Sequence, residues 1–227
     1  MKYSTLLFDL DGTLLDTLTD LYLAVNHALT EFHFPQRSRE EVRMFVGNGV
    51  KKLIERAVPP MTPEDVTAQV LAEFRSYYAE HSRLHTAPYD GILLSLYALH
   101  EKGWKMAVVS NKFDAAVKEL NAEYFSDYIP VAIGENEAAG RRKKPAPDSL
   151  FDAMAELGVT KDECLYVGDS DVDIETAKNA GIPCIGCAWG FRGREFLAEH
   201  GLGDDMILDE PARLYAFVQA YCKEHEG

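Results

Sequence analysis

The chain has 227 residues, of which 47% are hydrophobic, enough for one sizeable core and a smaller accessory domain. Lys plus Arg number 23 against 37 Asp plus Glu, a formal charge of −14 that repels phosphate backbones and so disfavours nucleic acid and anionic membranes as partners. An anionic small molecule is not excluded, because a site can be locally positive.

The N-terminus carries one Lys and a short apolar run broken by Asp9, too short for a signal-peptide core. No stretch approaches the length of a membrane span, so the expectation is a cytoplasmic protein without membrane or nucleic-acid partners. Four Cys do not make a disulfide scaffold. Cys184 and Cys187 form a C-x-x-C that follows Gly181-Ile182-Pro183 and opens no helix, which reads as two small apolar residues on a buried strand.

Leu6 to Phe8 is an apolar run that ends in an acid, the pattern of a buried strand whose carboxyl end carries chemistry. Alternate residues of an extended chain share a face, so Asp9 and Asp11 project towards one point, and Gly12 lets the chain turn. Two such carboxylates raise each other's pKa unless a cation intervenes, and Mg²⁺ suits an oxygen-rich site. A helix-loop-helix calcium loop counted from Asp9 would need Gly at its sixth position and Glu at its twelfth; those positions hold Leu14 and Asp20.

From Thr17 to about Pro88 the pattern is helical. Leu18, Leu21, Tyr22, Val25, Leu29 and Phe32 recur at three- and four-residue intervals. Ser38 followed by Glu41 predicts a capping box, Gly47-Asn48-Gly49 breaks the pattern, and Val50 to Val58 resumes it. Thr62-Pro63-Glu64-Asp65 predicts the start of a helix running to about Ser82.

From Gly91 helices and strands alternate. Helices are expected from Gly91 to Lys102, Phe113 to Ala122, Pro147 to Leu157, Val172 to Ala180 and Pro211 to Tyr221. Strands are expected over Lys105 to Ser110, Ile129 to Ile133, Glu163 to Gly168, Ile182 to Cys187 and Met206 to Leu208. The alternation predicts an α/β fold with a parallel sheet flanked by helices.

Two of these strands end in polar residues, Ser110-Asn111 and Gly168-Asp169, with Ser170-Asp171-Val172-Asp173 after the second. Between them lies a basic island, Arg141-Arg142-Lys143-Lys144, before Pro145-Ala146-Pro147. Open parallel sheets place ligands at carboxyl ends of strands.

Taken together, Asp9-Leu10-Asp11-Gly12-Thr13, Ser110-Asn111, Lys144-Pro145-Ala146-Pro147 and Gly168-Asp169 with Asp173 resemble the four motifs of the haloacid dehalogenase superfamily, in order. The resemblance implies a Rossmann-like core over residues 1–16 and 88–227, with a helical cap over 17–87 that governs substrate specificity. It implies Asp9 as a nucleophile forming an aspartyl-phosphate and Asp11 as general acid and then base. Ser110 and Asn111 would bind the phosphoryl group, and Lys144, with Lys143 as the fallback register, would neutralise it. Mg²⁺ would be held by Asp9, the Asp11 backbone carbonyl and Asp169, with Asp173 binding through water or orienting Lys144. Lys112, Asp171, Arg141 and Arg142 read as solvated residues.

Val46 to Ala57 resembles the corresponding cap stretch of the family's phosphoglycolate phosphatases, as do the Gly91 helix, Ser110-Asn111-Lys112 and Ala188-Trp189-Gly190-Phe191. Gly47, Asn48 and Gly49 would then present N–H groups to a substrate carboxylate, and Arg192 could meet an anion. The expected reaction is Mg²⁺-dependent hydrolysis of a small phosphorylated metabolite, 2-phosphoglycolate first. A pyrophosphatase or broad sugar-phosphate phosphatase is the alternative on the same residues. A phosphate-binding regulatory module with little turnover is the alternative of another class.

Overall fold

The computed structural model describes residues 2–136 and 140–225. The chain forms two compact units, one of residues 1–14 and 88–227 and the other of residues 15–87.

The larger unit is built on a six-stranded sheet: β1 (Thr5–Phe8), β4 (Lys105–Phe113), β5 (Val131–Glu135), β6 (Cys164–Gly168), β7 (Cys184–Cys187) and β8 (Ile207–Leu208). The order is β5-β4-β1-β6-β7-β8, and every pairing is parallel. Helices cover the sheet, which is why its central strands read as unbroken apolar runs rather than alternating ones. Leu6, Leu7 and Phe8 are fully buried, as are Met106 to Val109 and Leu165 to Val167. Such side chains each contribute about 1.5–3 kcal/mol on burial. Leu7, Ala107, Val109 and Tyr166 pack with Leu150 and Ala153 of α7 (Asp148–Leu157) and Ala177 of α8 (Asp171–Ala180). α5 (Ile92–Glu101) packs against α10 (Leu214–Glu224), and α6 (Asp114–Tyr124) against β4 and β5.

The register decides where the chemistry goes. Phe8 pairs with Val108 on one side and Val167 on the other. The three strands that carry the polar residues are therefore neighbours at the centre of the sheet, with Phe8, Val108 and Val167 at one level.

The smaller unit holds α1 (Leu18–Glu31), α2 (Arg39–Phe45), α3 (Val50–Ala57) and α4 (Glu64–His81). Leu18, Leu21, Val25 and Leu29 of α1 are buried, on the face the periodicity predicts. The Ser38–Glu41 capping box is formed in both directions. Asp20 is buried in the first turn of α1 and accepts hydrogen bonds from the backbone N–H groups and side chains of His85 and Thr86. Two short strands, β2 (Leu15–Asp16) and β3 (Ala87–Pro88), pair with each other.

Several boundaries differ from expectation. β4 continues to Phe113 instead of stopping at Ser110, with its pairing to β5 shifting register between Val109 and Phe113. Glu163 lies in a 3-10 turn before β6, and Pro211–Arg213 form another before α10, which runs to Glu224. The six-residue helix α9 (Arg194–Glu199) adds to the expected elements, being too short to show a period. All four cysteines are free and buried. Cys184 and Cys187 are three apart on β7 and so face opposite sides of the sheet. Burial pushes both thiols up, which removes thiolate character.

Candidate active site

The chain leaves β1 at Phe8, and the Asp9 N–H donates to the Val167 carbonyl at 2.9 Å, so Asp9 caps the pairing of β1 with β6. Gly12 turns the chain with φ +87°, and a Cβ there would lie 2.5 Å from Asp169 Oδ2. A Cβ on Gly190, across from it, would lie 2.3 Å from Asp169 Cβ. Asp169 is thus walled by two positions that accept only glycine. Its Oδ2 accepts from the Phe191 N–H at 2.6 Å and its Oδ1 from Thr13 Oγ1 at 3.4 Å. The Trp189 Nε1–H donates to the Thr13 carbonyl, fixing that loop to the first motif.

Asp173 is the most heavily bonded carboxylate of the site. Ser170 caps α8, and its hydroxyl donates to Asp173 Oδ2 at 2.6 Å. The backbone N–H groups of Asp169 and Ser170 point at the same oxygen. Oδ1 accepts from Lys144 Nζ at 2.8 Å and Tyr166 Oη at 2.9 Å. Five donors on one carboxylate leave it little capacity to ligate anything directly. Its geometry is that of a brace for Lys144, the second of the two roles expected for it.

Lys144 is itself buried and reaches Asp9 Oδ1 at 2.8 Å as an ion pair. The contact lies outside hydrogen-bond direction, so Asp9 Oδ1 is a buried anionic oxygen with no hydrogen bond among the described residues. Burial would lower the Lys144 pKa, but Asp173 and Asp9 outweigh it and keep the ammonium protonated. Desolvation acts oppositely on Asp9. It raises the carboxyl to about 7, because Lys144 is shared with Asp173 and offsets only part of the cost. Asp169, buried and near Asp173 and Asp9, is also pushed well up.

Carboxylate oxygens of Asp9, Asp169 and Asp173 lie within 4.8 Å of one another. An all-oxygen donor set suits a hard cation such as Mg²⁺. The single ammonium that Asp9 and Asp173 share and the raised pKa values of Asp9 and Asp169 both describe a cluster short of positive charge. The residues present fit a divalent metal, with Asp9 and Asp169 as its side-chain ligands.

Ser110 and Asn111 lie within β4, two and three residues past the position in register with Phe8, and both are buried. Ser110 Oγ accepts from the Lys112 N–H at 3.3 Å and keeps its own proton to donate. Asn111 differs from its expected phosphoryl contact. Its amide pairs with the Lys144 backbone in both directions, Nδ2 to the carbonyl at 3.1 Å and Oδ1 from the N–H at 2.9 Å. It clamps the lysine loop. The same clamp fixes the register, since Lys143 instead pairs with Glu135. Arg141 and Arg142 form surface ion pairs with Asp152 and Asp148. Asp171 opens α8, and the Arg192 guanidinium lies over the Phe196 ring.

A second placement departs from the sequence reading. Lys112 is no solvated loop residue. It is buried, and its ammonium lies 3.0 and 3.3 Å from the two Asp11 oxygens. Asp11 correspondingly stands outside the group of three acids, so any metal contact from it falls to its backbone carbonyl. Gly47, Asn48 and Gly49 lie in the helical unit, where both glycines have positive φ and Asn48 Oδ1 accepts from Arg56 Nη2 at 2.8 Å.

Residues 6–187 match the haloacid dehalogenase-like hydrolase family. The chain belongs to that family. It is 35% identical over 187 residues to a phosphoglycolate phosphatase of Aquifex aeolicus, covering 82% of this chain and 85% of the relative. It is 32% identical to the pyrophosphatase PpaX of Listeria monocytogenes serotype 4a, over 96% of this chain and 97% of that one. The crystal structure of a protein provisionally assigned as a phosphoglycolate phosphatase, from Lactobacillus delbrueckii subsp. bulgaricus, superposes with a TM-score of 0.88. It shares 36% identity and covers 95% of this chain and 98% of that one. The resemblance read from the motifs, to a phosphatase of this superfamily similar to the phosphoglycolate phosphatases, therefore holds, as does the parallel α/β core. Among the described residues no helix is long and apolar enough to cross a membrane.

Proposed function

We propose that this family member hydrolyses a small phosphomonoester, 2-phosphoglycolate first, through an aspartyl-phosphate on Asp9. The observation that carries the reading is Asp9 itself. It is a buried carboxylate just past the end of β1, between β4 and β6, and ion-paired to the buried Lys144 ammonium at 2.8 Å. Asp9 attacks phosphorus in line with the leaving oxygen. Lys144 neutralises charge on the transferred phosphoryl group, and Ser110 donates to it. Asp11 in its protonated form donates its proton to the leaving alkoxide, and the resulting carboxylate recovers one from the water that hydrolyses the aspartyl-phosphate. Mg²⁺, held by Asp9, Asp169 and the Asp11 carbonyl, would supply Lewis-acid neutralisation of a phosphoryl oxygen and keep Asp9 ionised. Asp173 holds Lys144, and Asn111 holds its backbone.

The helical unit of residues 15–87 is our candidate for the cap that selects the substrate, with the Gly47–Gly49 loop as the carboxylate contact. The family resemblance and the loop's positive-φ glycines support this. Four free buried thiols fit a reducing, cytoplasmic setting. A second reading, pyrophosphate hydrolysis, is favoured by the Listeria relative, which matches nearly the whole chain.

The test is phosphate release from 2-phosphoglycolate, pyrophosphate, a hexose phosphate, a nucleotide and an aryl phosphate, each with Mg²⁺ and with chelator. A kcat/KM for phosphoglycolate well above the rest supports the first reading, and pyrophosphate in that position supports the second. Absence of Mg²⁺-dependent release from all five would overturn both.

A further inference from the structure

Lys112 is the feature that the mechanism above leaves unused. Lysine is almost never fully buried unless paired, because desolvating an ammonium is costly. Here the Lys112 side chain is 3% exposed, and Asp11, its partner, is 15% exposed. The irregularity of β4 between Val109 and Phe113 spans Ser110, Asn111 and Lys112. Such irregularities re-aim side chains, and this one brings the ammonium to the first motif.

The geometry bounds what else the ammonium can reach. A leaving-group oxygen protonated by Asp11 must lie about 3 Å from an Asp11 oxygen. Lys112 Nζ lies within 3.3 Å of both Asp11 oxygens. The leaving oxygen is therefore at most about 6 Å from the ammonium, and a charged group one or two bonds beyond it can close the gap to contact.

We infer that Lys112 is a specificity-determining residue that reads negative charge on the leaving group, exchanging its Asp11 partner for the substrate's second anion. The inference deepens the phosphatase reading and rests on it. The substrate class it names is phosphoryl compounds whose leaving group is itself an anion. Glycolate and phosphate, the leaving groups implied by the names of the Aquifex and Listeria relatives, share that property. Discrimination then begins in the α/β unit, at the reacting oxygen. The exchange also has a cost to a wrong substrate. A neutral leaving group leaves Lys112 on Asp11 and holds the acid in its ion pair.

The experiment compares 2-phosphoglycolate with 2-phosphoglycolamide, which has nearly the same size without the charge, in the wild type, Lys112→Met and Lys112→Arg, all with Mg²⁺. A charge-assisted contact of this kind corresponds to a factor of about ten to a hundred in kcat/KM. The wild type should prefer the acid by that factor, Lys112→Met should bring the two substrates to near parity, and Lys112→Arg should keep most of the preference. Equal losses on both substrates in Lys112→Met would reduce Lys112 to a prop for Asp11 and overturn the inference. So would parity in the wild type, a result that needs no variant to fold. Inactivity of the wild type on both compounds would instead sink the 2-phosphoglycolate reading beneath it.

Discussion

Replacing the proposed nucleophile should make the metal-free protein more stable while abolishing turnover. In the structure Asp9 is raised from its ordinary 3.8 to about 7, first by burial, with Lys144 offsetting part of the cost. An acid whose folded pKa is raised holds its proton more tightly folded than unfolded. The folded state is favoured most below the unfolded value of about 3.8, and that advantage disappears as pH climbs through about 7. Across that gap, at about 1.4 kcal/mol per pH unit, the ionised nucleophile costs the fold roughly 4 kcal/mol. Asp9→Asn removes that charge and keeps the shape, but it also takes one carboxylate from Lys144. The expected net gain is about 2–4 kcal/mol at about pH 8, shrinking towards zero near pH 4. Urea unfolding in chelator at the two pH values reads this directly, and phosphate release confirms the loss of activity. Saturating Mg²⁺ should reverse the order by stabilising the wild type alone. An Asp9→Asn variant no more stable than wild type at about pH 8 without metal would refute the reasoning, because Asp9 would then carry no uncompensated charge.

Asp173→Ala leaves the buried Lys144 with half its counter-charge and the Tyr166 hydroxyl without its acceptor. It should cost about 3–5 kcal/mol, seen as a midpoint shift in urea, and collapse kcat/KM. A loss below about 1 kcal/mol would show that Asp173 is not the brace described. In the helical unit, Asp20 accepts from His85 and Thr86. These hydrogen bonds outweigh the opposing effect of burial and hold its carboxyl below the usual range. The stability it contributes is present above its ordinary pKa and lost as pH falls through the lowered one. Asp20→Ala should therefore destabilise this unit by about 2–3 kcal/mol at neutral pH and by much less in strong acid. Hydrogen exchange of amides in α1 and α4 at the two pH values checks it.

What the sequence made legible were residues whose chemistry shows in their immediate neighbours. Asp9 and Asp169 each end an apolar run, so strand and site are written together, and the parallel register then brings them side by side. The Ser38–Glu41 box is local in the same way. The roles that escaped depend on partners distant in the chain. Asn111 finds its partner at Lys144, 33 residues on, and Lys112 finds Asp11 at a separation of 101. A lysine after Ser-Asn carries no local sign of burial. What buries it is the irregular end of β4, whose true length the apolar run Met106 to Val109 does not reveal. Lys144 lies between these cases: the motif marks it, but only the Asn111 clamp and the Lys143–Glu135 pair exclude the neighbouring register.

The charge count at the sheet's carboxyl end connects these observations. Of the four acids there, Asp9 and Asp173 share the Lys144 ammonium, Asp11 pairs with that of Lys112, and Asp169 pairs with neither. If all four acids were ionised, four charges against two would leave two negative charges, most of them in a buried volume where water cannot screen them. Without a cation, burial and the neighbouring carboxylates raise the pKa of Asp9 and Asp169, so both bind a proton more tightly than a free carboxylate does. A phosphate dianion would meet repulsion there, in a molecule whose net charge is already −14. One divalent cation would supply the missing positive charge, so that Asp9 could stay ionised and an anionic substrate could approach. The lysines cannot substitute for it, since Asp173 and Asp11 already hold them. A metal requirement and ionisation of Asp9 would then be a single electrostatic condition, and proton release on Mg²⁺ binding below about pH 7 is its expected signature.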